Sequence, residues 1–301
     1  MKVGVTKGTL LDVFYDQDTH FEIVELPDYD SDLISEIEAI VAGRMSNEQL
    51  EKASKLKDIF IPFTGKNGFD LEYVEKLGIN IHVSQIHSRY VAERALALAL
   101  ALLGKITFYD KEMHEGRWGK RNFGDRVSWD SIFDKKIGIY GYGEIGKFIH
   151  KLVLPFTDKV YAYNRSRKEE VNYVDSLSEL INKCDIIFVA TPISESTKGS
   201  VSKELMMKMK NKYLINVGRG AVIDEDGLYE SLKTSNLAGF GSDVWFNYPK
   251  KGSNESTPSK HPIEQFNVVM TPHCAGFSMN AAEERYLDTL YQINELAKKK
   301  R

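Results

Sequence analysis

The stretch Lys136-Ile137-Gly138-Ile139-Tyr140-Gly141-Tyr142-Gly143-Glu144-Ile145-Gly146 joins an apolar run to a glycine-rich turn and then to a helix-forming segment, Lys147 to Leu154. A short apolar run bounded by glycine reads as a buried strand. The Gly-x-Gly-x-x-Gly spacing has a physical use at such a junction. One glycine permits the tight turn, the next lets a ligand approach the backbone, and the third lets the helix pack on the strand. The N–H groups at the helix start, with the positive end of its dipole, suit a pyrophosphate. Gly141, Gly143, Glu144, Ile145 and Gly146 are therefore the first candidate cofactor residues.

The same rhythm of apolar run and helix-like stretch extends in both directions. Strand-like runs read at Lys2 to Val5, Ile37 to Val41, Ile59 to Pro62 and Ile79 to Val83. After the motif they recur at Val160 to Tyr163, Ile186 to Ala190, Tyr213 to Val217, Leu237 to Gly241 and Val268 to Thr271. Strand and helix in alternation imply an α/β protein with parallel, doubly wound sheets. The rhythm breaks between Ser84 and Ser131. Ala95 to Leu103 reads there as a helix buried on most sides, because Ala and Leu are strong helix formers. A length of 301 residues corresponds to about two domains. The expected organisation is a Rossmann-type cofactor domain, 87–276, inserted into a discontinuous flavodoxin-like substrate domain, 1–86 and 277–301. The last segment, Asn280 to Arg301, spaces Leu287, Leu290, Ile293 and Leu296 for one helix face and is expected to pack back on the first domain.

Apolar residues at 42% and charged residues at 28% describe a globular chain. With 40 Lys plus Arg against 43 Asp plus Glu, the charge of −3 makes no electrostatic case for nucleic acid or a membrane surface. Ala95 to Leu103 is too short to span a bilayer, and the start Met1-Lys2-Val3-Gly4-Val5-Thr6 reads as a strand, not a signal peptide. Two cysteines, Cys184 and Cys274, form no disulfide framework, which points to a reducing, cytoplasmic setting. No spacing of His, Cys, Asp and Glu suits a metal.

A second cofactor determinant belongs at the end of the next strand, about 20 residues on, where an acid would bind a ribose 2′-hydroxyl. The strand Val160 to Tyr163 ends instead in Asn164-Arg165-Ser166-Arg167. Two guanidinium groups and a hydroxyl suit a 2′-phosphate, so NADP is expected in preference to NAD.

Three further signatures follow strand-like runs: Asn216-Val217-Gly218-Arg219-Gly220, Gly241-Ser242-Asp243-Val244-Trp245 and Thr271-Pro272-His273-Cys274-Ala275-Gly276. Arg219, Asp243 and His273 can thus stand at the carboxyl ends of neighbouring strands, where open α/β sheets bind ligands. An arginine to grip a carboxylate, a histidine to move a proton and an aspartate beside a cofactor are the groups that hydride transfer to a 2-oxo acid requires.

With these motifs in this order the chain resembles the D-isomer-specific 2-hydroxyacid dehydrogenases. The resemblance extends to Thr191-Pro192, to Gly220-Ala221-Val222-Ile223-Asp224-Glu225 and to Val91-Ala92-Glu93 at the domain crossover. It implies that Arg219 holds the carboxylate and carbonyl oxygen of a small 2-oxo acid and that His273 is its acid and base. It implies further that Asp243 contacts the nicotinamide carboxamide, with Thr191, Pro192, Val217, Gly218, His273 and Gly276 also on the cofactor. Thr64-Gly65 matches the turn whose N–H groups complete the carboxylate cradle. The segment Phe108 to Trp129 corresponds to the region of family dimerisation, so a homodimer is expected.

One position departs from the family pattern. A glutamate that pairs with the histidine is expected five residues after the aspartate, and the offset from Asp243 lands on Tyr248. Without that carboxylate the pKa of His273 is expected to fall. The Tyr248 hydroxyl is expected to orient the ring in its place. The related formate dehydrogenases also lack this glutamate, and Asp243-Val244-Trp245-Phe246 and His261-Pro262 look similar to theirs; they carry asparagine where this chain has His87, which is read here as facing the substrate. The expected activity is reduction of glyoxylate or hydroxypyruvate, with formate oxidation, or a cofactor-sensing binding protein, as the alternatives.

Overall fold

A computed structural model describes residues 1–6, 11–15, 17–66, 68–118, 128–166, 171–250 and 252–300. The chain divides into two compact units, residues 1–87 with 277–301, and residues 88–276.

The first unit holds a five-stranded sheet of β1 (Lys2–Thr6), β2 (Glu22–Leu26), β3 (Ala39–Val41), β4 (Asp58–Ile61) and β5 (Asn80–Val83). Their order is β2-β1-β3-β4-β5 and every pairing is parallel. β3 and β4 are buried throughout, as continuous apolar runs in a sheet covered on both faces must be. β2 is a strand that the pattern of apolar runs does not predict. It is an edge strand, and the exposed Glu22 and Glu25 break its apolar pattern while protecting the edge from pairing. The helix Ala281–Lys299 covers one face, where Leu290, Ile293 and Ala297 pack with Val3, Val5, Phe14 and Phe60. Leu287 does not share that face and stays 38% exposed; Tyr286 takes the inward position expected of it. Lys300 Nζ anchors the end of the chain to Asp58 Oδ2 at 2.8 Å, and His82 Nε2 and Asn80 Nδ2 lie 2.9 and 3.1 Å from the other oxygen. Burial alone would raise the Asp58 pKa, but these partners together hold it below the usual carboxylate range.

The second unit holds a seven-stranded parallel sheet of β6 (Ile137–Tyr140), β7 (Val160–Tyr163), β8 (Asn172–Tyr173), β9 (Ile186–Val189), β10 (Lys212–Asn216), β11 (Leu237–Ser242) and β12 (Val268–Met270). Their order is β12-β11-β10-β9-β6-β7-β8, so the strand order reverses between β6 and β9. β8 is absent from the sequence-based expectation because two residues at a sheet edge carry no periodic signal. The helix Ser88–Leu103 packs on β11, whose glycines admit it closely. A Cβ on Gly239 or Gly241 would stand 3.1 or 3.0 Å from the Leu102 methyls. That helix is buried on most sides, and Ala97 and Leu100 lie on its one exposed stripe, away from Leu98 and Leu102. Lys212 Nζ donates to the carbonyls of Ile181, Asn182 and Cys184 at 2.7–2.9 Å, closing the end of the helix Leu177–Lys183. Burial pushes the Cys184 thiol up to about 12, which leaves it unreactive. Among the described residues no helix is long and apolar enough to cross a membrane.

Candidate functional site

The turn after β6 has the geometry that its glycines allow. Gly141 has φ +94°, a conformation that side chains resist, and a Cβ there would lie 2.7 Å from the Thr191 nitrogen. Gly146 packs so closely that a Cβ would stand 2.3 Å from the Gly141 carbonyl oxygen. Gly143 is the opposite case. It is exposed, its Cβ position meets nothing within 4 Å, and it caps the helix Glu144–Val153 with no side-chain hydrogen bond. The start of that helix is therefore open beside Gly143 and carries no side-chain cap, as a site for phosphate oxygens requires. On the other side of the switch between β6 and β9, Gly218 approaches the Thr191 carbonyl oxygen, which a Cβ would meet at 2.5 Å. The glycine turn, Thr191 and Gly218 thus pack together at the point where the strand order reverses, the position where such sheets take a nucleotide. Pro192 is exposed beside them, and Glu144 and Ile145 are half-buried.

At the end of β7, Asn164 Nδ2 donates to the Ser166 carbonyl oxygen at 2.8 Å and to its hydroxyl at 3.2 Å. That turn presents Arg165 and Ser166 to solvent. Arg167 lies outside the described residues.

Arg219, Asp243 and His273 follow β10, β11 and β12, three adjacent strands. Asn216, buried at the end of β10, accepts from the Gly218 N–H and donates to the Arg219 carbonyl, both at 3.0 Å. It fixes the Val217–Arg219 turn, a part that its place in the signature does not by itself disclose. Arg219 Nη1 donates to the Gly218 carbonyl at 2.7 Å, and Gly220 lies too close to the Trp245 carbonyl oxygen, 2.1 Å from a built Cβ, for any side chain. Asp243 is 1% exposed. Its Oδ1 accepts from the Thr271 hydroxyl at 2.5 Å and the Cys274 N–H at 3.0 Å, and its Oδ2 from the Ala275 N–H at 2.9 Å. The carboxylate therefore clamps the loop that carries His273, which ends at the half-buried Gly276.

His273 has φ +55°, an uncommon backbone for a non-glycine residue and one that the Asp243 clamp holds in place. Its ring lies 5.5 Å from the Tyr248 ring at 52°. The expectation that the Tyr248 hydroxyl orients the imidazole is corrected by this geometry. The hydroxyl accepts from the Trp245 N–H at 3.2 Å, so tyrosine supports the histidine through ring contact and supplies no charge. Partial burial of the ring, in a residue that keeps an exposed side, lowers the imidazole pKa most; Asp243 opposes this and Arg219 adds to it, leaving His273 below the ordinary histidine value. A reaction needing imidazolium is therefore expected to slow as pH rises through a value below about 6.5. The reverse reaction, which needs neutral imidazole, gains over the same interval. Profiles of kcat/KM against pH in both directions check this.

On the first unit, Thr64 Oγ1 lies 3.0 Å from His87 Nε2, and Gly65 is half-buried beside it. Burial first, then the charge of Arg285, pushes the His87 imidazole below its ordinary value.

A family model for the D-isomer specific 2-hydroxyacid dehydrogenase NAD binding domain matches residues 96–275. The glyoxylate reductase of Pyrococcus horikoshii is 30% identical over 263 residues, covering 83% of this chain and 77% of its own. The formate dehydrogenase of Chaetomium thermophilum is 28% identical over 263 residues, covering 83% and 70%. A crystal structure of a Pyrococcus horikoshii OT3 protein superposes with a TM-score of 0.78 at 30% identity, over 97% of this chain and 90% of that one. With one family model spanning more than half of its residues and a 30% identical reductase aligned along most of both chains, this protein belongs to the D-isomer-specific 2-hydroxyacid dehydrogenases, oxidoreductases with a nicotinamide-binding domain.

Proposed function

We propose that the protein reduces a small 2-oxo acid, of the size of glyoxylate or hydroxypyruvate, using NADP(H) in preference to NAD(H). The observation that carries this reading is that Arg219 and His273 follow β10 and β12, the two strands that flank β11, on loops tied down by Asn216 and Asp243. When bound, the cofactor supplies the hydride. The planar fork of Arg219 holds the substrate carboxylate and carbonyl oxygen in orientation. His273 gives a proton to that oxygen in reduction and takes it back in oxidation. Tyr248 positions His273 through its ring. In this reading the glycine turn, Thr191, Pro192, Val217, Gly218, Asp243 and Gly276 serve the cofactor, and Thr64, Gly65 and His87 of the first unit serve the substrate. A homodimer through the exposed apolar side chains Ile106, Phe108, Met113, Trp118, Trp129 and Phe133 belongs to the same proposal.

The test is the initial rate of NADPH and NADH oxidation with glyoxylate, hydroxypyruvate, pyruvate and phenylpyruvate. Tight NADPH binding without turnover on any of them would move the reading to a cofactor-sensing binding protein. The cofactor preference rests on Arg165 and Ser166, so Arg165→Ser is expected to lower kcat/KM for NADPH by about tenfold or more with little change for NADH. A hydrogen bond to a charged group contributes roughly 1.5–3 kcal/mol. Equal losses with both cofactors would remove the 2′-phosphate assignment.

Formate oxidation is a second reading, favoured by Tyr248 standing where a carboxylate partner would be. Formate yields a hydride and carbon dioxide without a proton transfer to oxygen, so a neutral His273 suffices. Reduction of NAD or NADP by formate, compared with oxidation by glyoxylate, decides between them.

A further inference from the structure

Two hydrogen bonds fix the polarity of the C-terminal helix in the first unit. Lys300 meets Asp58 at the start of β4, and Gln292 Nε2 donates to the Val83 carbonyl at the end of β5, at 3.4 Å. The helix Ala281–Lys299 therefore runs against the strands, and its first turns, with Arg285, lie toward their carboxyl ends. Those ends lead into Thr64 after β4 and into Ser84 and His87 after β5. In open α/β sheets this is the ligand-binding end.

Three polar atoms there are buried without a hydrogen-bond partner: Ser84 Oγ, His87 Nδ1 and Arg285 Nε. Native proteins satisfy nearly all buried polar atoms, so a group of orphans in one region calls for a cause. Arg285 is permanently charged and has no carboxylate partner among the described residues; its guanidinium lies 5.7 Å from the Phe277 ring and 5.3 Å from the Tyr286 ring. Its charge reaches His87 and helps to keep that imidazole neutral. When the Thr64 hydroxyl donates to Nε2, the His87 hydrogen sits on Nδ1, which is then a donor. A guanidinium, an imidazole N–H and a hydroxyl form a set of donors with net positive charge. Its complement is a carboxylate, which accepts several such bonds and pairs well with arginine.

We propose that Arg285, His87 and Ser84 form a subsite for a compact carboxylate group. Two sources share this chemistry: the second carboxylate of a 2-oxo dicarboxylic acid substrate, or a separate small dicarboxylate that binds the protein. The first source rests on the reductase reading, and the second does not.

The test titrates succinate calorimetrically into the full chain, alongside kinetics with 2-oxoglutarate and pyruvate. Succinate is expected to bind, with affinity falling at least tenfold in Arg285→Leu, partly kept in Arg285→Lys, and falling about threefold in Ser84→Ala, a change too small to threaten folding. Melting temperatures confirm that each variant is folded. If Arg285→Leu raises KM for 2-oxoglutarate at least tenfold and leaves that for pyruvate unchanged, the carboxylate is the substrate's own. If both KM values hold while succinate binding is lost, the ligand is a separate molecule. No succinate binding to the unaltered protein, with the same KM for 2-oxoglutarate in protein and variants, overturns the subsite. Intact succinate binding with no turnover of any 2-oxo acid overturns the reductase reading and supports the subsite.

Discussion

Replacing His273 by asparagine is expected to lower 2-oxo acid reduction by about a hundredfold to ten-thousandfold, the range that a positioned acid or base contributes. Asparagine suits the test because it adopts left-handed backbone more readily than most residues, so the φ of +55° costs it little. The loop clamp uses the Cys274 and Ala275 N–H groups and the Thr271 hydroxyl, none of which the substitution touches. The loss should therefore fall on kcat far more than on KM, with the melting temperature nearly unchanged. The pH dependence should flatten together with the rate, since the group that titrates has gone. A variant that kept the pH profile of the unaltered protein would show that another group moves the proton.

Asp243→Ala is expected to destabilise the second unit by about 3 kcal/mol. The carboxylate is buried and accepts three hydrogen bonds, and its removal strands two backbone N–H groups and the Thr271 hydroxyl. Each unsatisfied buried donor costs roughly 1–3 kcal/mol, and the relief of no longer burying a charge offsets part of the sum. For a unit of this size the melting temperature should drop by about 6–12 °C, measurable by scanning calorimetry. Activity should fall further than stability explains, because the same loop carries His273 at a strained φ. A fall in melting temperature with kcat intact would mean that the loop keeps its shape without the clamp.

What could be read from the chain beforehand follows a physical division. The buried strands and the Gly141 to Gly146 turn were legible because local chemistry dictates them: apolar runs must be covered, and positions such as Gly141 and Gly146 exclude a side chain. Arg219, Asp243 and His273 were legible because each polar residue ends such a run. β2 and β8 were not, since edge strands are defined by a single partner and carry surface chemistry. Leu287 was assigned to the buried face by spacing, yet the sheet decides which side of the helix is inward. Tyr248 could be located by its offset from Asp243, but its hydroxyl bond to the Trp245 N–H depends on a turn of three residues that no periodicity encodes. Arg285 and Ser84 gave no signal at all, because their significance lies in the partners that they lack.

The first unit is built from both ends of the chain, and this sets an order on its completion during synthesis. Residues 88–276 form one continuous stretch and can fold as soon as they leave the ribosome, whereas the face of Val3, Val5 and Phe14 waits for Leu290, Ile293 and Ala297. At roughly 5–20 residues per second, the intervening segment takes about 10–40 s to translate. For that interval the nascent sheet carries an uncovered apolar face, and the emergence of the helix Ala281–Lys299 ends its exposure to chaperones and to neighbouring nascent chains.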